Sequence, residues 1–464
     1  MANVLNKIVE DKKAEIAQRK LDMPLESFKS TLTPSKKRFY AALAAPNASF
    51  ILECKKASPS KGLIRENFDL DEIIEAYSKQ AACISVLTDE KYFQGKFEYL
   101  QYITSRVDQP VINKDFFVDP YQVYLARYYN ADAVLLMLSV LSDDEYQHLA
   151  SLSESLSMDV LTEVSNQEEV ERALRLKANI IGINNRDLRD LSTDLATTER
   201  LVPLIRASNF DGVIISESGI YSHDEIKRLS PLVDGFLVGS ALMAQTNLEL
   251  AIAKLIFGEV KVCGVTSAEQ AKMISQFPVS YMGLIFAEKS PRFISMTDAL
   301  AIRQSVNKPL VGVFVDAPHD LIVESARKLE LFAVQLHGSE SNDDIERLMA
   351  ALPAQCEVWK AVGVSCAEDV NGAKVRFPSA QRLLLDTQVG EHSGGTGQAF
   401  DWRWLQDLPD KQHYVIAGGI TSDNVVRARQ TKINTLDLNS GVESAKGIKS
   451  KDKLEQVFSA LREF

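Results

Sequence analysis

From residue 50 onward, short runs of apolar and β-branched residues alternate with stretches whose apolar positions recur every three or four residues. Runs of the first kind suit strands buried on both faces, and stretches of the second kind suit amphipathic crossover helices. The alternation therefore predicts repeated strand–helix units around a parallel sheet. Residues 50–55, 83–88, 111–114, 133–138, 160–164, 180–185, 213–218 and 236–239 read as eight strands. A second set of eight follows at 261–265, 281–286, 310–314, 333–337, 357–362, 383–387, 414–419 and 435–440. Eight such units close a (β/α)8 barrel, so the expected fold class is α/β with two tandem TIM barrels. The break is expected at 257/258, where the helical run 251–257 stops at Gly258, giving domains 1–257 and 258–464. Residues 1–20 alternate charge with Val4, Leu5, Ile8, Val9 and Ile16, which suits an extra helix capping the first barrel or lying on its surface.

A chain of 464 residues is longer than one core usually grows, in keeping with two domains. The strand count alone also allows one open doubly wound sheet. The polar residues argue for barrels: Glu53, Lys55, Lys114, Glu163, Asn184 and Glu217 in the first half, and Cys263, His337, Asp386 and Asn439 in the second, sit at or just past strand ends. Barrel sites collect residues from many strand ends, whereas open sheets gather them at one switch point.

Acidic residues number 63 against 52 basic ones, a net charge of −11, which disfavours a nucleic-acid partner. No apolar run reaches membrane-spanning length, and five cysteines without CxxC spacing point to the cytoplasm. Six scattered histidines lack metal-ligand spacing, so neither a metal nor another cofactor is expected. A monomeric chain acting on phosphorylated small molecules is the expectation. In each half, strands seven and eight end in small residues: Ser218, Gly219, Gly239 and Ser240, then Gly418, Gly419, Asn439, Ser440 and Gly441. Glycine lets backbone N–H groups approach an anion at the following helix start, and this is the common phosphate position of barrels. Each glycine alone is equally compatible with a plain turn; their recurrence at equivalent strands favours phosphate.

The segments ILECKKASPSKG, ISVLTDEKYFQG, KDFFVDPYQVYLAR, LTEVSNQEE, GINNRDL, ISESGI and FLVGSALM, in that order, resemble indole-3-glycerol-phosphate synthase over nearly all of residues 1–255. The resemblance implies closure of a carboxyphenylamino-deoxyribulose phosphate to indole glycerol phosphate, with loss of CO2 and water. Such a closure needs an acid at the ketone and an acid–base pair for dehydration. The resemblance makes Lys114 the general acid, Glu163 its partner in dehydration, and Lys55 the group that binds the substrate carboxylate and assists proton transfer. Glu53 and Asn184 orient these groups, and Glu217 joins the same network. Ser58, with Ser218, Gly219, Gly239 and Ser240, is assigned to phosphate, and Arg186 either binds the anthranilate carboxylate or braces Asn184. A Schiff base on Lys114 is the mechanistic rival.

In the second half KVCGVT, GLIFAEKSPRFI, VGVFV, VQLHG, LLLDT, GGTGQAFDW, IAGGI and NSGVE resemble phosphoribosylanthranilate isomerase over residues 260–464. The implied reaction is an Amadori rearrangement: an acid protonates the furanose oxygen and a base removes the C2′ proton. Cys263 is the expected base and Asp386 the expected acid, on strands one and six. The thiol is expected to have a lowered pKa and the carboxyl a raised one. Arg292 is assigned to the anthranilate carboxylate and His337 to an accessory role, with a core histidine as the alternative. The loop 394–397 is read as closing over ligand. Aminoimidazole substrates of histidine synthesis would suit similar barrels, but those carry an aspartate on strand one, where this chain has Glu53 and Cys263. A half serving only as a scaffold is the other alternative, and acid and base candidates in both halves oppose it.

Overall fold

A computed structural model describes residues 4–389, 392–393 and 399–462. The chain divides into two compact units between Ile252 and Ala253, inside the helix Leu248–Phe257. The division falls a few residues before the expected break, and Gly258 does end that helix, at φ +69°. A Cβ there would also press on the Arg429 guanidinium at 2.8 Å.

The first unit is a closed parallel barrel. Its strands are β1 (Ser49–Cys54), β2 (Cys83–Leu87), β3 (Val111–Lys114) and β4 (Ala133–Met137). The circuit continues with β5 (Asp159–Val164), β6 (Ile180–Asn184), β7 (Val213–Glu217) and β8 (Gly235–Val238), which pairs back onto β1. Every predicted strand is present to within one residue at each end. Several of the crossover helices start at side-chain caps: Ser142 with Glu145, Ser222 with Glu225, and Asp119 with Gln122 ahead of Pro120 form capping boxes. Helix α1 (Val4–Asp22) does more than lie on the surface. Its Leu5 and Ile8, with Phe39 and Leu43 of α2 (Phe39–Leu43), pack into the same core as inward residues Ile51, Ile112, Leu161 and Ile215.

The second unit closes a second barrel in the same way. Its strands are β9 (Glu259–Cys263), β10 (Tyr281–Ile285), β11 (Leu310–Phe314) and β12 (Ala333–Leu336). They are followed by β13 (Glu357–Val364), β14 (Arg382–Val389), β15 (Tyr414–Ile416) and β16 (Thr435–Leu438). Two strands run longer than predicted: β13 reaches Val364 through its pairing with β14, and β14 runs from Arg382 to Val389, its last two residues pairing with residues 392–393. Asp386 therefore sits within β14 and not at its end.

At the opposite mouth of this barrel, first residues of strands form a closed ionic cap. Arg382 pairs with Glu259 and, at 3.0 Å, with Glu357, and it stacks over Trp359. Arg382 is thus engaged by two carboxylates, and charge paired in this way at the strand N-termini of a barrel serves stability. The chemistry belongs at the other end.

Candidate active sites

In the first barrel the predicted polar residues meet in one cavity at the strand C-termini. Glu53, Lys55, Lys114, Glu163, Asn184 and Arg186 line it, together with Ser58, Ser218, Gly219, Gly239 and Ser240. Glu217 enters the group through Lys114. The Lys114 ammonium lies 3.2 Å from Glu217 Oε2 and 3.5 Å from Glu163 Oε2. Asn184 Nδ2 donates to Glu163 Oε1 at 3.0 Å, and Lys55 Nζ lies 2.5 Å from Glu53 Oε1. Arg186 braces Asn184 through its backbone N–H, which donates to Asn184 Oδ1 at 2.9 Å, while its guanidinium donates to the Leu191 carbonyl.

Electrostatics sort these groups. Burial pulls Lys114 down, yet Glu217, Glu163 and Glu53 together outweigh it and hold the ammonium above the ordinary lysine value. Burial pushes Glu217 up to about 7, with Lys114 opposing and Glu163 adding to the rise. Burial also acts on Glu53, but Lys55 and Lys114 prevail and keep its carboxyl low. Glu217 and Glu53, shifted in opposite directions, thus flank one cation.

Sequence reasoning missed the apolar wall of this cavity. Ile8 of α1, Phe93, Phe116, Leu135 and Leu188 line it and offer a slot for a flat ring. The strand-end phenylalanines of KDFF carried part of that signal; Ile8, distant in sequence, carried none. The residues assigned to phosphate also shape the cavity. Ser218 and Gly219 turn the chain at φ +64° and +81°, as an anion loop requires. At Gly239 a Cβ would stand 2.5 Å from Glu53 Oε1, so this glycine also makes room for the carboxylate.

In the second barrel Cys263 ends β9, while His337 and Asn439 lie one residue beyond β12 and β16. His337 Nε2 stands 3.8 Å from Asp386 Oδ2. Beneath them lies a pair the motif reading did not single out: Lys261 Nζ is 2.8 Å from Asp437 Oδ2, both residues being buried. The signal was present, since Lys261 shares a strand face with Cys263, and Asp437 with Asn439. The pair acts on both proposed proton-transfer groups. Burial, then the Asp437 charge, pushes Asp386 up to about 7. This agrees with the expected direction for an acid.

For Cys263 the expectation of a lowered pKa fails. Burial raises the thiol above its ordinary value, and Lys261 only partly counters the effect because Asp437 partly cancels it. His337 falls to about 4 through burial and the nearby Lys261 and Lys360 ammoniums, so it is neutral. It donates to or accepts from Gln335 at 3.2 Å through Nδ1.

Arg292 is buried and held by Glu443 in a two-point pair at 2.8 Å, and Glu443 also takes Lys449 at 2.7 Å. Lys449 reaches Asn439 Oδ1 at 2.9 Å, which ties the arginine to the proposed phosphate strand. Gly418 and Gly419 have φ of +85° and +61°, and at Gly418 a Cβ would stand 2.8 Å from Asp386 Oδ1. In both barrels, then, a glycine assigned to phosphate also clears space for a carboxyl group. Ser440 and Gly441 begin a short turn at Ser440–Val442. The loop 394–397 lies outside the described residues. Among the described residues, no group of His, Cys, Asp and Glu is placed to hold a metal, and no helix is long and apolar enough to cross a membrane.

Comparison with known proteins gives the same division of the chain. Residues 5–255 match the indole-3-glycerol phosphate synthase family, and residues 260–460 match the N-(5'-phosphoribosyl)anthranilate isomerase family. The tryptophan biosynthesis protein TrpCF of Vibrio cholerae is 52% identical, covering 100% of this chain and 97% of its own. That of Salmonella typhi is 46% identical, covering 100% of both. A solved phosphoribosyl anthranilate isomerase from Thermotoga maritima shares 32% identity, with a TM-score of 0.40, over 44% of this chain and 98% of its own. The chain belongs to the TrpCF family of bifunctional tryptophan-biosynthesis enzymes, with an indole-3-glycerol phosphate synthase barrel followed by a phosphoribosylanthranilate isomerase barrel.

Proposed function

We propose that each barrel performs its reaction with the strand-end groups described above. The isomerase converts N-(5-phosphoribosyl)anthranilate to the carboxyphenylamino-deoxyribulose phosphate that the synthase then closes. One observation carries the assignment of roles: in each barrel a buried carboxyl, Glu217 or Asp386, is pushed to about 7, beside a cation and a second proton-transfer group. Such groups exchange protons at neutral pH, where ordinary carboxyls do not.

In the synthase, Lys114 enters turnover protonated and gives its proton to the ketone oxygen as the ring carbon attacks. In the dehydration Glu163, held by Asn184, takes the proton lost from the ring system, while the departing hydroxyl takes a proton from the Lys55 ammonium and leaves as water. Lys55, paired with Glu53, meets the substrate carboxylate that leaves as CO2, and Glu217, 3.2 Å from Lys114, keeps that group aimed and passes a proton back to it between turnovers. Phe93 and Phe116 supply the slot for the aromatic ring, and Ser58 with residues 218–219 and 239–240 takes the phosphate.

In the isomerase, Asp386 protonates the ring oxygen and Cys263 removes the C2′ proton once ionised. Because the thiol is raised and the carboxyl is near 7, the active form holds its proton on the weaker base, Asp386. Lys261 favours that form by attracting the thiolate. Arg292, kept straight by Glu443, receives the anthranilate carboxylate, and residues 418–419 and 439–441 receive the phosphate. The protein works as a cytoplasmic monomer, with five free cysteines suited to a reducing compartment.

The test is to express the halves separately, cut near residue 257, and assay both reactions on each. Ring closure by the first piece alone and isomerisation by the second alone is the expected result. Dependence of either activity on the other piece refutes independent sites.

A further inference from the structure

Helix α1 carries a charge that the chemistry above leaves unused. Lys12 belongs to a stretch of alternating charge, yet its side chain is only 1% exposed. Its ammonium lies 2.8 Å from Asp89 Oδ2, 3.0 Å from Asp115 Oδ1 and 2.7 Å from Glu15 Oε2. Asp89 and Asp115 are themselves buried, at 2% and 3% exposure. Burying such a cluster costs desolvation that its attraction scarcely repays, and apolar residues would serve stability as well. A cluster of this kind earns explanation by what it holds in place.

What it holds is the turn after β3. Asp115 follows Lys114 directly, and its carboxylate is pinned from three sides. Lys12 approaches Oδ1, the Phe116 backbone N–H donates to Oδ1 at 2.7 Å, and the Thr88 hydroxyl donates to Oδ2 at 2.6 Å. Thr88 Oγ1 also accepts from Asn113 Nδ2 at 2.7 Å, and its N–H reaches the Lys114 carbonyl at 3.3 Å. Asp89, the second carboxylate, caps the helix Glu90–Phe93 by accepting from the Tyr92 N–H at 2.7 Å. One turn earlier on α1, Ile8 lines the cavity with Lys114 and Asp115. The residues on either side of Lys114, Asn113 and Asp115, are thus tied into a single buried network centred on Lys12 and Thr88.

We infer that Lys12 is a positioning residue for ring closure: by clamping Asp115 and Asp89 it fixes the turn that carries Lys114 and so the approach of that ammonium to substrate. The inference rests on Lys114 being the general acid. Displacement of a catalytic group by about 1 Å can cost about 100-fold in rate.

The experiment compares Lys12→Met, Thr88→Val and Lys12→Met/Asp115→Asn in the full chain. Ring closure is followed in single turnover with enzyme in excess, so that a dead fraction lowers the amplitude and leaves the rate constant unchanged. Steady-state KM and the isomerase activity of the same samples are measured alongside. Lys12→Met is expected to slow the single-turnover rate constant by about 10- to 100-fold, with KM held within about threefold and isomerisation unchanged. Thr88→Val, which alters no charge and keeps the test open if Lys12→Met does not fold, is expected to slow it by about 3- to 10-fold. The double variant should be no slower than Lys12→Met. An unaltered rate constant in a folded single variant overturns the inference, as do multiplicative losses in the double variant. Lys114→Met is run in parallel. If it still closes the ring, the general-acid reading falls; if it is inactive while Lys12→Met runs at full rate, only the role of Lys12 falls.

Discussion

Asp386→Asn should stabilise the second unit while abolishing isomerisation, and the gain should depend on pH. In the folded chain the Asp386 carboxyl titrates at about 7, against 3.8 as its ordinary value, because it is buried and faces Asp437. The folded state therefore binds more protons than the unfolded state between these values, and stability falls as pH rises through that window. With those two pKa values the loss is about 1.7 kcal/mol at pH 5 and about 4 kcal/mol at pH 8, where it is nearly complete. An amide of the same shape has no such titration and can still accept from the Thr387 N–H, which donates to Asp386 Oδ1 at 2.8 Å. The variant's stability relative to the parent should thus be greater at pH 8 than at pH 5 by about 2 to 3 kcal/mol. Urea unfolding of the full chain followed by indole emission reads this, since all three tryptophans, 359, 402 and 404, lie in the second unit. An equal difference at the two pH values refutes the claim that Asp386 is held protonated by its surroundings.

The same pair of shifts sets the pH profile of isomerase kcat/KM. It should rise with unit slope to about 7, run level to at least the ordinary thiol value of 9.0, and then fall. A fall beginning near 7 would mean that Cys263 ionises below Asp386, contrary to the burial that raises its thiol. Borohydride added during ring closure should trap no adduct on Lys114, which peptide mass mapping checks, since the lysine acts as an acid; a reduced covalent adduct would establish the Schiff-base route.

Much of this architecture was legible because buried parallel strands demand continuous β-branched runs, and residues such as Val111–Lys114 and Leu310–Phe314 carry that pattern to the observed boundaries. The extension of β14 past Thr387 was not, because Gln388 and Val389 owe it to pairing with residues 392–393, which nothing in the local run announces. The lysines and carboxylates that line the synthase cavity were legible from their place at strand ends. Lys12 was not, since a lysine among alternating charges reads as solvent-facing until Asp89 and Asp115 are brought to it from distant strands. The direction of the Cys263 shift was also out of reach: it depends on how far burial exceeds the help from Lys261, a balance set by tertiary packing. Arg292 illustrates the same limit, because nothing near KSPR announces Glu443 as its partner.

The central claim is that one chain holds two separate active sites, with Lys114 serving one and Cys263 the other. Its most direct test assays both half-reactions in the intact chain for Lys114→Ala and Cys263→Ala. Lys114→Ala is predicted to lose ring closure and keep isomerisation, and Cys263→Ala to do the reverse, each retained activity staying within about twofold of the parent, as expected for independent sites. Loss of both activities from either folded variant would contradict the account.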